Sequence, residues 1–547
     1  MRDGPGLSDL ERLFRGGEIS RNEFARSLLA LGLTTSGLEL LLGSKPLPVE
    51  AQTPPARYLV LMVLDAFRPE YIRMGHMPNL EGLMKRGTTF NRAWVGQMES
   101  ETPPGHATIA TGSFPRNDGI IGFEWRDPAV PTIEIQDGWG KGVVSGAMER
   151  DMQASGASSI SLAVKAADPS AVSISLSSEK VYAAGAMGSL GADYILYEAR
   201  TGHQSLVPAA VTGYQPDSAF FQHPHLNFAM PPRHFTDWDW LSGMLAMAAI
   251  DAFHPRVLMI NFPGGDVYGH PYGGPASPKI MGTVATGIDK NIGRVIRAYK
   301  RAGIYNQTIF AVTADHGMVP NAHTVPVNIV KAAVRAGGGD YFWHTGGTAA
   351  DIYINNPTAA PKVATSVAAL PNVTTAYFQT SSAGSYGYEL ASGVSIDPDL
   401  DLANRYILGS FAGPTAPDVV ALFRENTIGH QNQNLHGDHG GANWGAQHIP
   451  LVIAGPGVRS TASQFPARLI DIAPTLLRLL GVPVPKMDGV VLADAVASAT
   501  AQDVATQNTL RASLTRLQSA LITQSLDDIA QDNAQGVRLP PQAKPQP

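Results

Sequence analysis

Aspartate and histidine residues recur in this chain at short spacings that suit metal binding. Asp266 precedes His270 by four residues, with a glycine between them, and Asp315 is followed directly by His316. A carboxylate and an imidazole so placed can converge on one ion. The segment 436–441 (HGDHGG) offers the same donors but could equally be a polar glycine turn. Because cysteine is absent, any metal must be held by His, Asp or Glu, which suits zinc, manganese or iron.

The segment 101–108 (ETPPGHAT) combines a hydroxyl with the start of a helix. Proline is favoured at the first helical positions, so Pro103 and Pro104 predict that Thr102 is the N-cap. A hydroxyl there faces free backbone N–H groups, which with the helix dipole can bind a phosphate, and a nearby metal could ionise it. An ordinary threonine N-cap has the same pattern, so these residues alone leave both interpretations open.

The elements that must position these residues are apolar runs of strand length that end near carboxylates. Asp65 directly follows the run at 58–64, Asp266 comes shortly after the run at 256–262, and Asp315 comes shortly after the run at 308–313. The run at 418–423 precedes the HGDHGG segment. Helical patterns lie between them at 77–86, 104–111, 235–253 and 283–302. This alternation predicts an α/β fold whose mostly parallel central sheet is sandwiched by helices. Ligand sites in such sheets lie beyond the carboxyl ends of the strands, so we expect these side chains to gather there.

Several motifs then follow one another in a fixed order. They are Asp65-Ala66-Phe67-Arg68, Met77-Pro78-Asn79-Leu80, Thr102-Pro103-Pro104-Gly105-His106, Thr111-Gly112, Gly119-Ile120-Ile121, Asp266 with His270, Asp315 with His316, and His439. As a set they resemble the alkaline phosphatase superfamily, and within it the type I phosphodiesterase/nucleotide pyrophosphatase branch. The likeness runs from about Arg57 to Asp494 and implies an alkaline phosphatase-like fold with an inserted subdomain.

The resemblance implies two zinc ions, although other divalent metals remain possible. One ion would be held by Asp266, His270 and His439, and the other by Asp65, Asp315 and His316, with Thr102 bridging towards the phosphate. His439 is preferred to His436 because the family's last ligand is followed directly by glycine, and two glycines follow His439.

The same resemblance implies a reaction. Thr102 would attack phosphorus to form a phosphothreonine, which water would then hydrolyse. The implied substrates are small phosphoesters, with phosphodiesters or nucleotide pyrophosphates as the first expectation. A phosphomonoesterase (alkaline phosphatase) and a phosphonate hydrolase of the same superfamily are the alternatives. A metal-binding exported protein that has lost catalysis is an alternative of another class.

Departures from the branch's motifs concern the phosphate contacts. Phe123 stands where the branch usually has an asparagine that contacts a phosphate oxygen, and Gly105 replaces another asparagine. Lys180 is the best match to a lysine that related phosphomonoesterases place against the phosphate, although a solvated surface lysine is the commoner case. Four aromatic residues of the same segment could stack on an aromatic leaving group or pack in the core: Tyr182, Tyr194, Tyr197 and Phe220.

Length and composition set the domain organisation that we expect. The chain has 547 residues, 44% of them hydrophobic and 16% charged, which describes a large loop-rich globular protein. We predict an export signal and linker at 1–56, a catalytic core at 57–126 and 236–498, a substrate-shaping insertion at 127–235, and a C-terminal helix (509–530) with a disordered tail within 499–547. The net charge of −6 argues against a nucleic-acid scaffold.

The N-terminal segment predicts a periplasmic or secreted protein. Residues 20–25 (SRNEFA) precede an apolar run at 27–43, an order that resembles a twin-arginine export signal. Asn22 replaces the second arginine and Glu39 interrupts the apolar run, so an amphipathic N-terminal helix is the alternative. No other segment approaches the roughly 20 apolar residues of a membrane span, so we expect no transmembrane anchor in the mature chain.

Overall fold

The computed structural model describes residues 56–126, 141–201, 205–226, 237–429 and 435–537. They belong to one compact unit, Pro54–Pro547. The expected export signal lies outside the described residues, apart from its last position, and so does the end of the expected tail.

The strands of the described residues, numbered in chain order, have the following bounds. They are β1 (Tyr58–Leu64), β2 (Gly87–Phe90), β3 (Ser173–Ser177), β4 (Tyr194–Thr201), β5 (Ser205–Ala210), β6 (Val257–Phe262), β7 (Thr308–Thr313), β8 (Val319–Pro320), β9 (His323–Thr324), β10 (Tyr341–Gly346), β11 (Ala349–Ile354), β12 (Val373–Ser382), β13 (Ser385–Leu390), β14 (Val419–Phe423), β15 (Thr427–Ile428), β16 (Gly437–Asp438), β17 (Leu451–Ala454) and β18 (Thr461–Ser463).

The α-helices of the same residues are numbered likewise. They are α1 (Tyr71–Met74), α2 (Pro78–Arg86), α3 (Thr102–Thr111), α4 (Pro115–Asp118), α5 (Lys141–Val144), α6 (Ala147–Ser155), α7 (Ile160–Ala167), α8 (Val181–Gly188), α9 (Asp237–Phe253), α10 (Gly264–Tyr272), α11 (Pro278–Arg301), α12 (Val327–Ala336), α13 (Ala360–Ala368), α14 (Pro398–Gly409), α15 (Trp444–Gln447), α16 (Ile472–Leu479) and α17 (Ala501–Ala534).

The central sheet has nine strands in the order β18-β2-β17-β7-β1-β6-β3-β4-β5. The five strands from β7 to β4 are all parallel to their neighbours, whereas β17 and β5 pair antiparallel. Strands β6 and β7 are buried throughout, and β1 is buried from its second residue onward, as expected for a parallel sheet covered on both faces. Helices flank this sheet, so the predicted α/β class is confirmed.

The segment 127–235, which we expected to be an insertion, contributes to this same sheet. Its described part supplies β3, β4 and β5, and β3 pairs directly with β6. Helix α8 follows β3 and packs against α3. Residues placed just after β3 therefore lie at the same end of the sheet as those that follow β6. Its role as a separate substrate-shaping unit stays a prediction.

A second, five-stranded sheet has the order β10-β11-β14-β12-β13 and is antiparallel throughout. One face packs with α12 and α13 in a core of its own, while the other contributes Tyr353, Tyr377 and Leu422 to the main core. Strand β14 belongs to this sheet, so our expectation that the run at 418–423 ends at the edge of the central sheet is wrong. A buried apolar run fits either sheet, and its pairing partners decide which one it joins.

The C-terminal helix α17 is longer than the predicted 509–530 and begins at a capping box formed by Thr500 and Asp503. Its last turns are tied to the body by ion pairs. Asp532 contacts Arg424 at 2.8 Å and His323 Nε2 at 2.8 Å. Ser525 donates a hydrogen bond to Glu425 at 2.8 Å. The helix is thus part of the folded unit.

Candidate active site

The predicted side chains gather at the carboxyl ends of three adjacent parallel strands. Asp65 follows β1 directly, Asp315 comes two residues after β7, and Asp266 lies in α10, which begins after β6. Because β7, β1 and β6 are neighbours in the sheet, these carboxylates converge. Asp65 and Asp315 are fully buried and Asp266 nearly so.

Thr102 lies beside these carboxylates at the start of α3, but it is the first helical residue and not the N-cap. The cap is Glu101, in extended conformation, and Pro103 is the second helical residue. Thr102 is fully buried, and its Oγ1 lies 3.3 Å from His316 Nε2 and 3.5 Å from Asp65 Oδ1. The hydroxyl therefore faces the Asp and His residues directly.

The first turn of α3 offers fewer backbone donors than we predicted. Pro103 and Pro104 carry no N–H, and the N–H of Gly105 donates to the Glu101 carbonyl at 2.9 Å. The helix itself therefore leaves only the N–H of Thr102 unused in this turn. A phosphate bound here needs positive charge from elsewhere.

Gly105 and Ala66 show how closely the backbone is packed around Asp315. A Cβ atom on Gly105 would come within 2.8 Å of the Asp315 Cβ and carbonyl oxygen. Ala66 has a positive φ of 53°, uncommon for a residue other than glycine, and its N–H donates to Asp315 Oδ1 at 3.1 Å. A side chain at position 105, such as the asparagine of the branch's motif, thus has no room here.

One candidate metal-binding group consists of Asp65, Asp315 and His316, whose ligand atoms lie within 4.8 Å of one another. His316 Nε2 is 3.2 Å from Asp315 Oδ2 and 3.7 Å from Asp65 Oδ1. His316 Nδ1 contacts the Gly317 carbonyl at 2.9 Å, so Nε2 is the nitrogen that faces Thr102 Oγ1 and the two carboxylates. Burial lowers the pKa of His316 to about 3, so its imidazole is neutral, the state that coordinates metals.

The second group forms around Asp266. His270, one turn later on α10, places Nε2 3.3 Å from Asp266 Oδ1, and His439 Nε2 lies 3.1 Å from the same oxygen. Burial opposes protonation of His270, but the Asp266 carboxylate raises the pKa of His270 to about 9. Each imidazole is oriented through Nδ1, by the Gly437 carbonyl for His270 and the Ser100 carbonyl for His439.

His439 is brought to the site by a short antiparallel pairing of β16 with β8, which follows the Asp315-His316 turn. Asp438 joins His270 and His439 in a further group of potential ligands. We did not single it out from the sequence, although it lies inside the HGDHGG segment. His436 is exposed and belongs to none of the groups found among the described residues.

The two groups are adjacent. The rings of His316 and His439 have centroids 3.8 Å apart, and Asp266, His316 and His439 also lie within ligand distance of one another. We call the combined set the carboxyl-end cluster; its members are Asp65, Thr102, Asp266, His270, Asp315, His316 and His439.

Lys180 is not a solvated surface residue, and that interpretation is wrong. Its side chain is buried, with Nζ 2.5 Å from Asp266 Oδ2, 3.1 Å from Asp65 Oδ1 and 3.4 Å from Thr102 Oγ1. Burial opposes its charge, but Asp266 and Asp65 hold the pKa of Lys180 well above its ordinary value. The ammonium therefore stands beside the hydroxyl, where a phosphate would need charge.

The donor set fits metal ions. Asp266 Oδ1 and Asp315 Oδ2 are buried oxygens with imidazole nitrogens within 3.3 Å, yet neither receives a well-directed hydrogen bond. Buried carboxylate oxygens without hydrogen bonds are costly unless a cation binds them. Histidine nitrogens and carboxylate oxygens are common zinc ligands, and the cluster supplies several of each.

His106 and Asn261 support the cluster without belonging to it. His106 Nδ1 lies 2.8 Å from the Thr102 carbonyl and 3.2 Å from Asp315 Oδ2. Asn261 donates to Asp65 Oδ2 at 2.8 Å and lies 2.8 Å from His106 Nε2. His106 thus packs and hydrogen-bonds. His448 stacks on Trp444 with ring centroids 4.8 Å apart.

A cavity of about 790 Å³ opens above Thr102 and Asp266. Phe123 and Tyr182 line it as an edge-to-face pair with ring centroids 5.3 Å apart. Of the other aromatic candidates, Tyr194 and Phe220 pack against Phe253, and Tyr197 packs against the main core. Only Tyr182 of the four therefore lines this cavity.

A buried carboxyl pair joins the second sheet to the segment before Thr102. Glu99 is hydrogen-bonded to Asp351 of β11 and also to Glu101. Burial, and then the charge of Asp351, raises the pKa of Glu99 well above its ordinary value, and burial raises the pKa of Asp351 to about 6. The sequence has no signal for this contact, since its partners are about 250 residues apart.

Comparison with known protein families decides the assignment. Residues 59–442 match the model of the family described as type I phosphodiesterase/nucleotide pyrophosphatase. The chain belongs to this family. The resemblance inferred from the motifs is confirmed, and with it the expectation of a phosphoester hydrolase family.

Two curated relatives illustrate the range of this family and its superfamily. A bis(5′-adenosyl)-triphosphatase of Xenopus laevis is 23% identical over 297 residues, 54% of this chain and 53% of the frog protein. The alkaline phosphatase PhoK of a Sphingomonas species is 36% identical over 80 residues, 14% of each chain. The matches thus span about half or less of the length of these relatives.

Solved structures show the same fold. Murine ectonucleotide pyrophosphatase/phosphodiesterase 5 superposes with a TM-score of 0.54 at 18% identity, covering 79% of this chain and 97% of its own. The alkaline phosphatase PafA superposes with a TM-score of 0.63 at 16% identity, covering 81% and 99%. These likenesses confirm the alkaline phosphatase-like architecture.

None of the helices among the described residues is both long enough and apolar enough to cross a bilayer.

Proposed function

We propose that this family member is a two-zinc phosphoester hydrolase that acts through a covalent phosphothreonine at Thr102. The carrying observation is the buried Thr102 hydroxyl, within 3.5 Å of both His316 and Asp65. Asp266 would hold one ion together with His270 and His439, which both contact its Oδ1, with Asp438 beside them, and Asp65, Asp315 and His316 would hold the other. When bound, the ions would supply Lewis-acid stabilisation of the phosphoryl oxygens and lower the pKa of attached hydroxyl groups.

The chain's own residues orient the reacting groups. Thr102 Oγ1 loses its proton to solvent and forms a bond to phosphorus while the bond to the leaving oxygen breaks. Water then cleaves the phosphothreonine: its oxygen stays on phosphorus, and one of its protons restores the Thr102 hydroxyl while the other goes to solvent. His106 neither accepts nor donates a proton in this scheme. Its contacts hold the Thr102 carbonyl and the Asp315 carboxylate in place. Lys180 Nζ, 3.4 Å from Thr102 Oγ1, supplies positive charge to the phosphoryl oxygens.

The cavity favours phosphodiesters or nucleotide pyrophosphates over phosphomonoesters. Its volume of about 790 Å³ lies within the range of pockets that enclose a drug-sized ligand, so a second ester group has room. Phe123 and Tyr182 present apolar surface there. Lys180 favours the second candidate, a phosphomonoesterase, because a monoester brings an additional negative charge to the same position.

The test measures hydrolysis of bis(p-nitrophenyl) phosphate and p-nitrophenyl phosphate with zinc and with chelator. We expect the diester to be preferred, chelation to abolish activity, and Thr102→Ala to lower kcat by about four orders of magnitude or more. Thr102→Ser is the matched control, since it keeps a hydroxyl and should retain measurable activity. Activity that survives both chelation and Thr102→Ala contradicts the mechanism, and a strong monoester preference contradicts the diesterase assignment.

Zinc and export are further parts of this proposal. The order of charged and apolar residues at 20–43 supports export to the periplasm or medium. Elemental analysis of purified protein should find about two zinc ions per chain, and fractionation of cells that express the full chain should place it outside the cytoplasm. A metal-free active protein, or a cytoplasmic one, would contradict the respective statement.

A further inference from the structure

The cavity above Thr102 has one wall that comes from the second sheet and from α12. We call it the second-sheet wall and define it by Val327, Lys331, Tyr341, Trp343 and His344, all of which line the cavity. None of these residues belongs to the carboxyl-end cluster. The wall follows β9 in sequence and is carried by a unit with its own core.

Lys331 gives this wall a positive charge. Its Nζ lies 4.9 Å from the centroid of the Tyr341 ring, a cation–π contact. Among the described residues no carboxylate lies within ion-pair distance of it, in contrast to Lys180, which contacts two. An ammonium without a carboxylate partner at the edge of a cavity is suited to bind an anion.

The neighbouring aromatic side chains are placed for stacking. The hydroxyl of Tyr341 lies 3.0 Å from His344 Nδ1, which fixes both rings. Trp343 is 37% exposed, and its indole has no ring contact with any other residue that the structure describes. A large exposed aromatic side chain in a cavity is a common platform for a planar ring.

Charge distinguishes this wall from the part of the cavity beside Phe123 and Tyr182. Glu124 and Glu179, which adjoin Phe123 and Lys180 in sequence, also line the cavity. A second negative group on the substrate would be repelled by these carboxylates and attracted to Lys331.

We propose that the second-sheet wall is a subsite for a substrate arm that carries a planar ring and a further anionic group, such as a second phosphate. The ring stacks on Trp343 and the anion pairs with Lys331 Nζ. This inference rests on the proposed function, because it assumes that the scissile phosphorus lies at Thr102.

The experiment compares a substrate that carries the extra charge with one that lacks it. When the terminal phosphorus of ATP lies at Thr102, the remaining arm carries a planar base and two further phosphates, whereas bis(p-nitrophenyl) phosphate has rings but no second anion. We expect Lys331→Glu to raise KM for ATP by about ten- to a hundredfold, the usual worth of a charged hydrogen bond, and to change kcat/KM for the diester less than twofold. Lys331→Gln should have an intermediate effect, and added salt should weaken the wild-type preference.

Lys362→Glu is the matched control, because Lys362 is exposed on α13 of the same unit and does not line the cavity. It should leave both substrates unchanged. An equal effect of Lys331→Glu on both substrates, or no effect on either, overturns the subsite.

A binding measurement separates this inference from the proposed function. In the Thr102→Ala background, ATP titration should quench tryptophan fluorescence, and the quench should be lost in Trp343→Phe and weakened in Lys331→Glu. Binding with this dependence, but no hydrolysis of either substrate by the wild type, leaves the subsite standing and refutes the hydrolase. Hydrolysis of the diester without any dependence of ATP binding on Lys331 refutes the subsite alone.

Discussion

The carboxyl-end cluster and the second-sheet wall border the same cavity but are built in opposite ways. The cluster is charged and buried apart from the partly buried His270, and the ligand atoms within each of its groups lie within 4.8 Å of one another. The wall is aromatic and partly exposed, with one unpaired ammonium among the described residues. In the proposed mechanism each side chain of the cluster has a chemical task, so few residue types can replace it. In the wall, shape and charge suffice.

This difference predicts that substitutions in the cluster change catalysis for every substrate, whereas those in the wall change substrate preference. The three experiments that follow test the cluster and its connection to the second sheet.

The largest effect is expected for His439, which belongs to two ligand groups. His439→Ala should lower kcat by about a thousandfold for both diester and monoester, because loss of a ligand removes several kcal/mol of charge stabilisation. Steady-state kinetics at saturating zinc measure this.

His436→Ala is the control, since His436 is exposed and only three residues away. It should retain nearly full activity. The reverse pattern would transfer the ligand role to His436.

Lys180 comes next, because it contacts Asp65, Asp266 and Thr102 at once. Lys180→Met should lower kcat/KM by about a hundredfold, with a greater loss for the monoester. In chelator it should also destabilise the protein by about 3–5 kcal/mol, because two buried carboxylates lose their cation. Denaturant titration with chelator and with zinc measures the difference.

Zinc should restore part of that stability, since it would neutralise the same carboxylates. Lys362→Met serves as the exposed control. If Lys180→Met were as stable as the wild type without metal, the ammonium would not balance these charges in the folded protein.

The smallest effect concerns the Glu99–Asp351 pair, which connects the two regions. The pKa values of both carboxyl groups are raised by burial, that of Asp351 to about 6 from 3.8. The folded protein therefore holds protons that the unfolded chain releases, and the contribution of the pair to stability is greatest below about pH 4 and falls as the pH rises through about 6. In Asp351→Asn the free energy of unfolding should fall with rising pH by on the order of 3 kcal/mol less than in the wild type.

Unfolding in denaturant at pH 4 and pH 8, in chelator, compares the wild type with Asp351→Asn. Asp527→Asn, on the exposed surface of α17, should follow the wild type. Identical pH dependence in Asp351→Asn and the wild type would show that the pair does not share a proton.

The sequence predicts more of the cluster than of the wall, because only the cluster follows continuous apolar strands and recognisable motifs. The central strands are continuous apolar runs, so β1, β6 and β7 and the carboxylates after them could be placed at one edge. Strand β3 has the sequence SISLS, in which serines alternate with apolar residues. This pattern does not predict a strand buried on both faces, so the burial of Lys180 just after it could not be predicted either. The wall has no sequence motif. Lys331, Tyr341 and Trp343 come together only because the fold places α12 and β10 at the same cavity.

The closeness of Gly105 to Asp315 has a consequence for changing this enzyme. Because the carbonyl oxygen and the Cβ of Asp315 lie 2.8 Å from where a Cβ of residue 105 would stand, the helix that carries Thr102 has no room to move towards Asp315. A substitution in the cluster that pushes this helix towards Asp315 therefore displaces Thr102. A laboratory that wishes to alter the substrate range should randomise the second-sheet wall and leave the helix of Thr102 untouched.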